Sequence, residues 1–195
     1  MPPSSPSERR QYYRVEDQVG LEWRPVNRHD LPASAASCFE GSETLALQEE
    51  LRRADQEIRA QINVLSDTDR NLAHILKLLN QKLDIAARIM TFQQKPLQDD
   101  QWRKVTLSEG GLSFICQESH FRTGDMLAIR LTMAPELSQL AAFAEVVDRT
   151  DGDDDNPAMV NLQFVRLEDD ARQQIARHVL RLQARQRQQE RENPR

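Results

Sequence analysis

Between Glu43 and Gln94 the chain contains neither glycine nor proline. Leu, Ala, Gln, Glu, Arg and Ile dominate this stretch, all compatible with a helix. Ser42 is placed to cap its start and Lys95-Pro96 to end it. One helix of this length would measure about 75 Å at 1.5 Å per residue, far longer than the body of a small domain. Its apolar residues say what it packs on. With Ile58 at d, the a positions are Ile62, Asp69, Leu76, Leu83 and Met90, and the d positions are Ile58, Leu65, Leu72, Leu79 and Ala86. Only Asp69 breaks the series. Nearly five heptads predict a coiled coil, and Ile75 and Ile89 at g widen the stripe beyond what two helices need. The expected partner is the chain itself, as a parallel homo-oligomer, with a tetramer favoured. Two other readings stay open: an amphipathic helix lying on its own domain, or a break at Ser66-Asp67-Thr68-Asp69 that folds the segment into a hairpin. The heptad phase running through Asp69 without a shift favours the continuous rod.

The remaining chain reads as β-structure. Apolar and polar residues alternate over 17–26, 102–107, 112–116, 126–133, 142–147 and 159–165, with turn material between them: SEGG, FRTGD, MAPELSQ and TDGDDDNP. Short strands at regular spacing predict a small antiparallel barrel or sandwich. Residues 27–42 read as a loop. From Asp169 a Gln- and Arg-rich helix follows, with Ile175, Val179 and Leu182 facing the strands and fraying expected beyond Ala184. Leu112, Phe114, Ile129, Leu131, Phe143, Val146, Leu162 and Phe164, with Trp23, are the expected core.

Composition excludes several classes of function. No run of 18 apolar residues exists, so no membrane insertion is expected. The first residues are polar and show no secretory signal. Cys38 and Cys116 stand far apart, giving neither a disulfide framework nor a thiolate metal box and pointing to a reducing cytoplasm. The net charge of −5 argues against a nucleic-acid polymer as partner. His29, His74, His120 and His178 have no ligand spacing. The acidic loop DRTDGDDDNP lacks the position-12 glutamate of a calcium loop and is flanked by strands. Ser108, His120 and Asp125 have no nucleophile elbow to support a triad, and no phosphate-binding glycine motif occurs. No enzyme activity, metal or cofactor is expected. The basic end RLQARQRQQERENPR reads as a polar helix fraying into solvent.

Two strings beside predicted strands carry a resemblance. ERRQYYRVED contains Arg10 and Arg14 in an R-x-x-x-R pattern with Arg9 adjacent, and TLSEGG runs Thr106 to Gly111 at a strand turn. Together with the closing string NLQFVRLEDDARQQIARHVL they resemble the PilZ domain family, which binds cyclic di-GMP on a six-stranded barrel through R-x-x-x-R and (D/N)-x-S-x-x-G motifs. The long insertion resembles the atypical tetrameric subgroup, whose helices form a coiled-coil bundle. The resemblance implies a mainly β α+β fold: a six-stranded antiparallel barrel with an inserted heptad helix and a C-terminal helix. It divides the chain into a disordered tail (1–8), a discontinuous barrel (9–26 and 100–185), an oligomerisation helix (43–95) and a frayed end (186–195). It implies cyclic di-GMP as candidate ligand, with Arg9, Arg10, Arg14, Thr106, Ser108 and Gly111 as binding residues, and an unknown downstream protein as partner. Arginine suits such a ligand by bidentate pairing to phosphate and by stacking on a base. Gly110 and Gly111 would permit a tight turn and close backbone approach. Thr106 stands where the family has Asp or Asn, and its hydroxyl only partly replaces their acceptor geometry.

Overall fold

The computed structural model describes residues 13–40, 42–116, 121–150, 152 and 157–192. Six strands, β1 (Val15–Pro25), β2 (Trp102–Ser108), β3 (Gly111–Ile115), β4 (Met126–Met133), β5 (Ser138–Thr150) and β6 (Met159–Arg166), close into a barrel in the order β1-β2-β3-β6-β5-β4. All neighbours are antiparallel. Alternation sends one side of each strand inward. Val15, Val19, Leu21, Val105, Leu107, Leu112, Phe114, Ile129, Leu131, Val146, Val160 and Leu162 fill the interior, with Trp23 and Phe164 partly buried against them. Helix α3 (Asp169–Glu192) packs on this core through Ala171, Ile175 and Val179, with Leu182 at the margin. The turns expected to fray remain helical to Glu192, because Gln, Arg, Glu and Ala favour the helix and no glycine or proline intervenes.

The insertion departs from the single rod. It forms two helices, α1 (Ser42–Ser66) and α2 (Arg70–Gln94), which pack on each other. Asp69 causes the break. Its backbone is extended, and its carboxylate accepts hydrogen bonds from the N–H groups of Asn71 and Leu72, both at 3.0 Å. The residue that disturbed the heptad is thus an N-cap. A groove shared by Arg59, Ile62 and Asn63 with Lys77, Asn80 and Asp84 shows that the helices run back along each other. The hairpin turns the less apolar side of α2 inward: Ala73 is buried, while Asn80, Asp84 and Arg88 are half-buried. Its heptad stripe is left open. Leu72, Ile75, Leu76, Leu79, Leu83, Ile89 and Met90 are 36–68% exposed.

Of the stretch read as a loop, residues 27–40 form a strap with a 3-10 turn at Ala35–Cys38, lying over the outer face of β4 and β5. Phe143 therefore points away from the barrel interior, into a second cluster with Ala35, Met126 and Ala128, flanked by Val26, Leu31 and Phe39. Arg130 fastens the strap to β1: its Nε and Nη2 donate to Glu22 at 2.6 and 2.8 Å, Glu40 lies 3.7 Å away, and its guanidinium sits 4.9 Å from the Phe39 ring centre. Burial in this strap pushes the Cys38 thiol above its usual range, against the opposing pull of Arg24.

At its other end the insertion is joined firmly to the wall. Phe92 packs edge-on against Trp102, with ring centres 6.4 Å apart. Leu97 occupies the notch left by Gly20, where a Cβ would meet its Cδ1 at 2.1 Å.

Candidate functional site

The register of β1 on β2 brings the two motif strings together across more than 90 residues of sequence. Val15 pairs with Leu107 and Glu16 with Thr106. Arg14, exposed just before β1, therefore stands at the end of the wall where β2 turns into β3. Arg9 and Arg10 lie outside the described residues, as do the tail 1–8 and His120.

The turn itself is built for packing. Ser108 is 6% exposed, and its hydroxyl donates to Gly111 O at 3.1 Å. Phe164 N–H donates to Gly110 O at 2.9 Å. A Cβ on Gly111 would lie 2.0 Å from Leu162 O, so β6 approaches too closely for any side chain there. Gly111→Ala is expected to lower stability by about 1–3 kcal/mol, because backbone must move. Gly20→Ala meets side chains alone, the end of Leu97 and, at 3.1 Å, Cβ of Thr132, and should cost less than half of that. Thermal melts of the two variants compare them directly, and equal losses would refute the distinction.

Thr106 faces outward and borders a groove of about 470 Å³. The same outer wall contributes Glu16 and Gln18 from β1, Lys104 from β2, Ser113 and Ile115 from β3, and Met159 from β6. The sequence reading missed Lys104, Ser113, Gln18 and Met159. Strand alternation counted from Thr106 and across the pairing partners would have found them. Ile115 and Met159 are cross-strand partners and make one end apolar. Lys104 is the one cation among these lining residues. Glu16 sits directly opposite Thr106 with no ion pair among the described residues, whereas Asp17 is held 2.6 Å from Nε2 of the buried His178 on α3. No group of His, Cys, Asp and Glu able to hold a metal occurs among the described residues.

A family model matches part of the chain: residues 90–181 are similar to the PilZ domain. A tetrameric PilZ domain from Xanthomonas campestris, self-assembled through a helical bundle, is 19% identical, with 90% of this chain and 89% of that one covered and a TM-score of 0.52. The likeness shows a common fold across nearly the whole chain, inserted helices included. YcgR of Escherichia coli in complex with c-di-GMP is 16% identical over 45% of this chain and 38% of its own, with a TM-score of 0.39. The Bacillus subtilis inhibitor of motility is 16% identical over 43% and 42%, also at 0.39. No curated protein matches the chain. The resemblance drawn from TLSEGG and the closing string thus holds for the family. The six-stranded antiparallel barrel and the C-terminal helix hold for the fold, with the inserted helix divided into α1 and the long α2. No helix among the described residues is long and apolar enough to cross a membrane.

Proposed function

We propose that the protein is a non-enzymatic, cytoplasmic receptor for cyclic di-GMP that acts as an oligomeric adaptor through protein contacts. One observation carries the receptor reading: the β1–β2 register sets Arg14 and the Thr106–Gly111 turn at one end of a groove of about 470 Å³. A cyclic dinucleotide lying on the PilZ wall would take Arg14, with Arg9 and Arg10 from the preceding segment, on its phosphates or bases. Thr106 would meet its polar edge. Ser108 and Gly111 would act by holding the turn and bringing its backbone close, since the Ser108 proton is engaged by Gly111 O. The protein needs no cofactor for this.

Titration calorimetry on the whole chain tests the reading. Arg14→Ala is expected to lose about 1.5–3 kcal/mol for each charge-assisted hydrogen bond removed, and Arg10→Ala likewise. Thr106→Asn should tighten binding. The absence of heat, and of any melting shift, at millimolar nucleotide would refute the receptor. A specific observation then favours the second reading, an oligomeric scaffold with a degenerate site: Glu16 opposite Thr106 presents negative charge to a dianionic ligand.

Assembly rests on a separate observation, the open heptad stripe of α2. Soluble monomers rarely expose so continuous an apolar strip. The stripe is covered when α2 helices from several copies meet, as a parallel tetramer in this proposal, with each α1 lying against the outward side of its own α2.

A further inference from the structure

Strand β1 outruns its neighbour. It pairs with β4 as far as Pro25, but its pairing with β2 stops at Gly20 and Trp102. Beyond Pro25, Val26 N–H donates to Met126 O across the β4 side at 2.9 Å. By strand alternation the even-numbered residues of β1 bond to β4. The N–H and C=O groups of Leu21 and Trp23 then face the side that β2 has left. An edge of this kind is a template for an added strand.

The space beside that edge is a cleft of about 360 Å³, bounded across from β1 by Asp100 and Gln101. Arg103 lines it. Its guanidinium carbon lies 4.8 Å from the Trp23 ring centre and 6.0 Å from that of Phe114, and its buried Nε has no hydrogen-bond partner among the described residues. Two other arginines are placed differently: Arg130 of β4 holds Glu22 with two hydrogen bonds, and Arg28 of the strap holds Glu145. Arg103 is stacked on aromatic faces, which orients a guanidinium for a planar acceptor, yet among the described residues it has no carboxylate partner. With Glu22 engaged, Arg24 and Arg103 outweigh Asp100 in the cleft.

We propose that the C-terminal half of β1, Leu21 to Pro25, is the docking edge for a partner protein, which adds an extended acidic segment as a short strand and sets a carboxylate on Arg103. Backbone hydrogen bonds to Leu21 and Trp23 supply affinity, and the side chains on one face of the partner strand reach Arg103. The edge lies beyond the groove of Glu16 and Gln18, so the proposal stands whether or not the nucleotide binds.

A blocked pentapeptide of alternating threonine and glutamate tests it on the whole protein, by calorimetry and by amide hydrogen exchange. Saturable binding is expected, with slowed exchange at Leu21 and Trp23. Affinity should fall about tenfold in Arg103→Gln, the size of one charge-assisted contact. The threonine–lysine peptide should not bind. A glutamate peptide N-methylated on its bonding amides should bind at least tenfold more weakly, a comparison that needs only the wild-type protein and survives misfolding of the variant. No binding at millimolar peptide, equal binding after N-methylation, or unchanged exchange at Leu21 and Trp23 would each overturn the proposal.

Discussion

Leu76→Asp combined with Leu83→Asp is expected to leave particles of 22.5 kDa, read by light scattering, with the barrel still folded. Both side chains stand on the open stripe of α2, 36% and 68% exposed. Neither therefore contributes much to the isolated subunit. In the proposed bundle each leucine would be buried by copies of itself, a gain of about 1.5–3 kcal/mol per side chain. Aspartate would instead collect like charges at the centre. The barrel should melt as before, because the insertion joins it at Phe92 near the end of α2 and at Leu97 beyond it, well away from either substitution. Wild-type protein that is monomeric at tens of micromolar, or a double variant that stays assembled, would contradict the oligomer.

The second large effect is expected at Phe143. Its ring is 1% exposed and lies under the strap, with Arg166 5.8 Å from its centre and Arg166 also donating to Ala33 O. Phe143→Ala should cost about 3–5 kcal/mol, seen in denaturant melts, and should release the strap to proteolysis before the barrel unfolds. Phe164, only partly buried, should cost less than Phe143 on truncation. The reverse order would show that the strap contributes little.

The strands were legible because each has one side in the core, which writes period two into residues such as Leu112, Phe114, Val160 and Leu162. Strand β4 reads as alternating, yet it is buried on both sides, in keeping with the near-continuous apolar run MLAIRLTM. What covers its outer face was not legible: residues 27–40 have no periodicity, and packing on Phe143 and Ala128, with ties from Arg130 and Arg166, gives them shape. The sequence admits the helix break but ranks it below the continuous rod for a physical reason. Asp69 occupies an a position and is also the N-cap of α2, so an uninterrupted phase concealed a terminus. The signal was present in Ser66-Asp67-Thr68-Asp69, four capping-type residues in a row. At the groove, Thr106 was found from a motif, whereas Lys104 and Met159 belong to no motif: alternation along β2 sets Lys104 beside Thr106, and Met159 joins them only through the β2–β3–β6 pairing.

The seat of Leu97 over Gly20, with Phe92 against Trp102, has a consequence for how the protein would engage others. A helix clamped to a barrel wall does not behave as a flexible tether. If α2 assembles the copies, their barrels are held at set spacings and angles instead of sampling a wide volume. A partner with repeated binding segments would then meet an array of fixed valency. Its apparent affinity would rise steeply where its own spacing matches the array and hardly at all where it does not. Discrimination would reside in geometry as much as in any single contact.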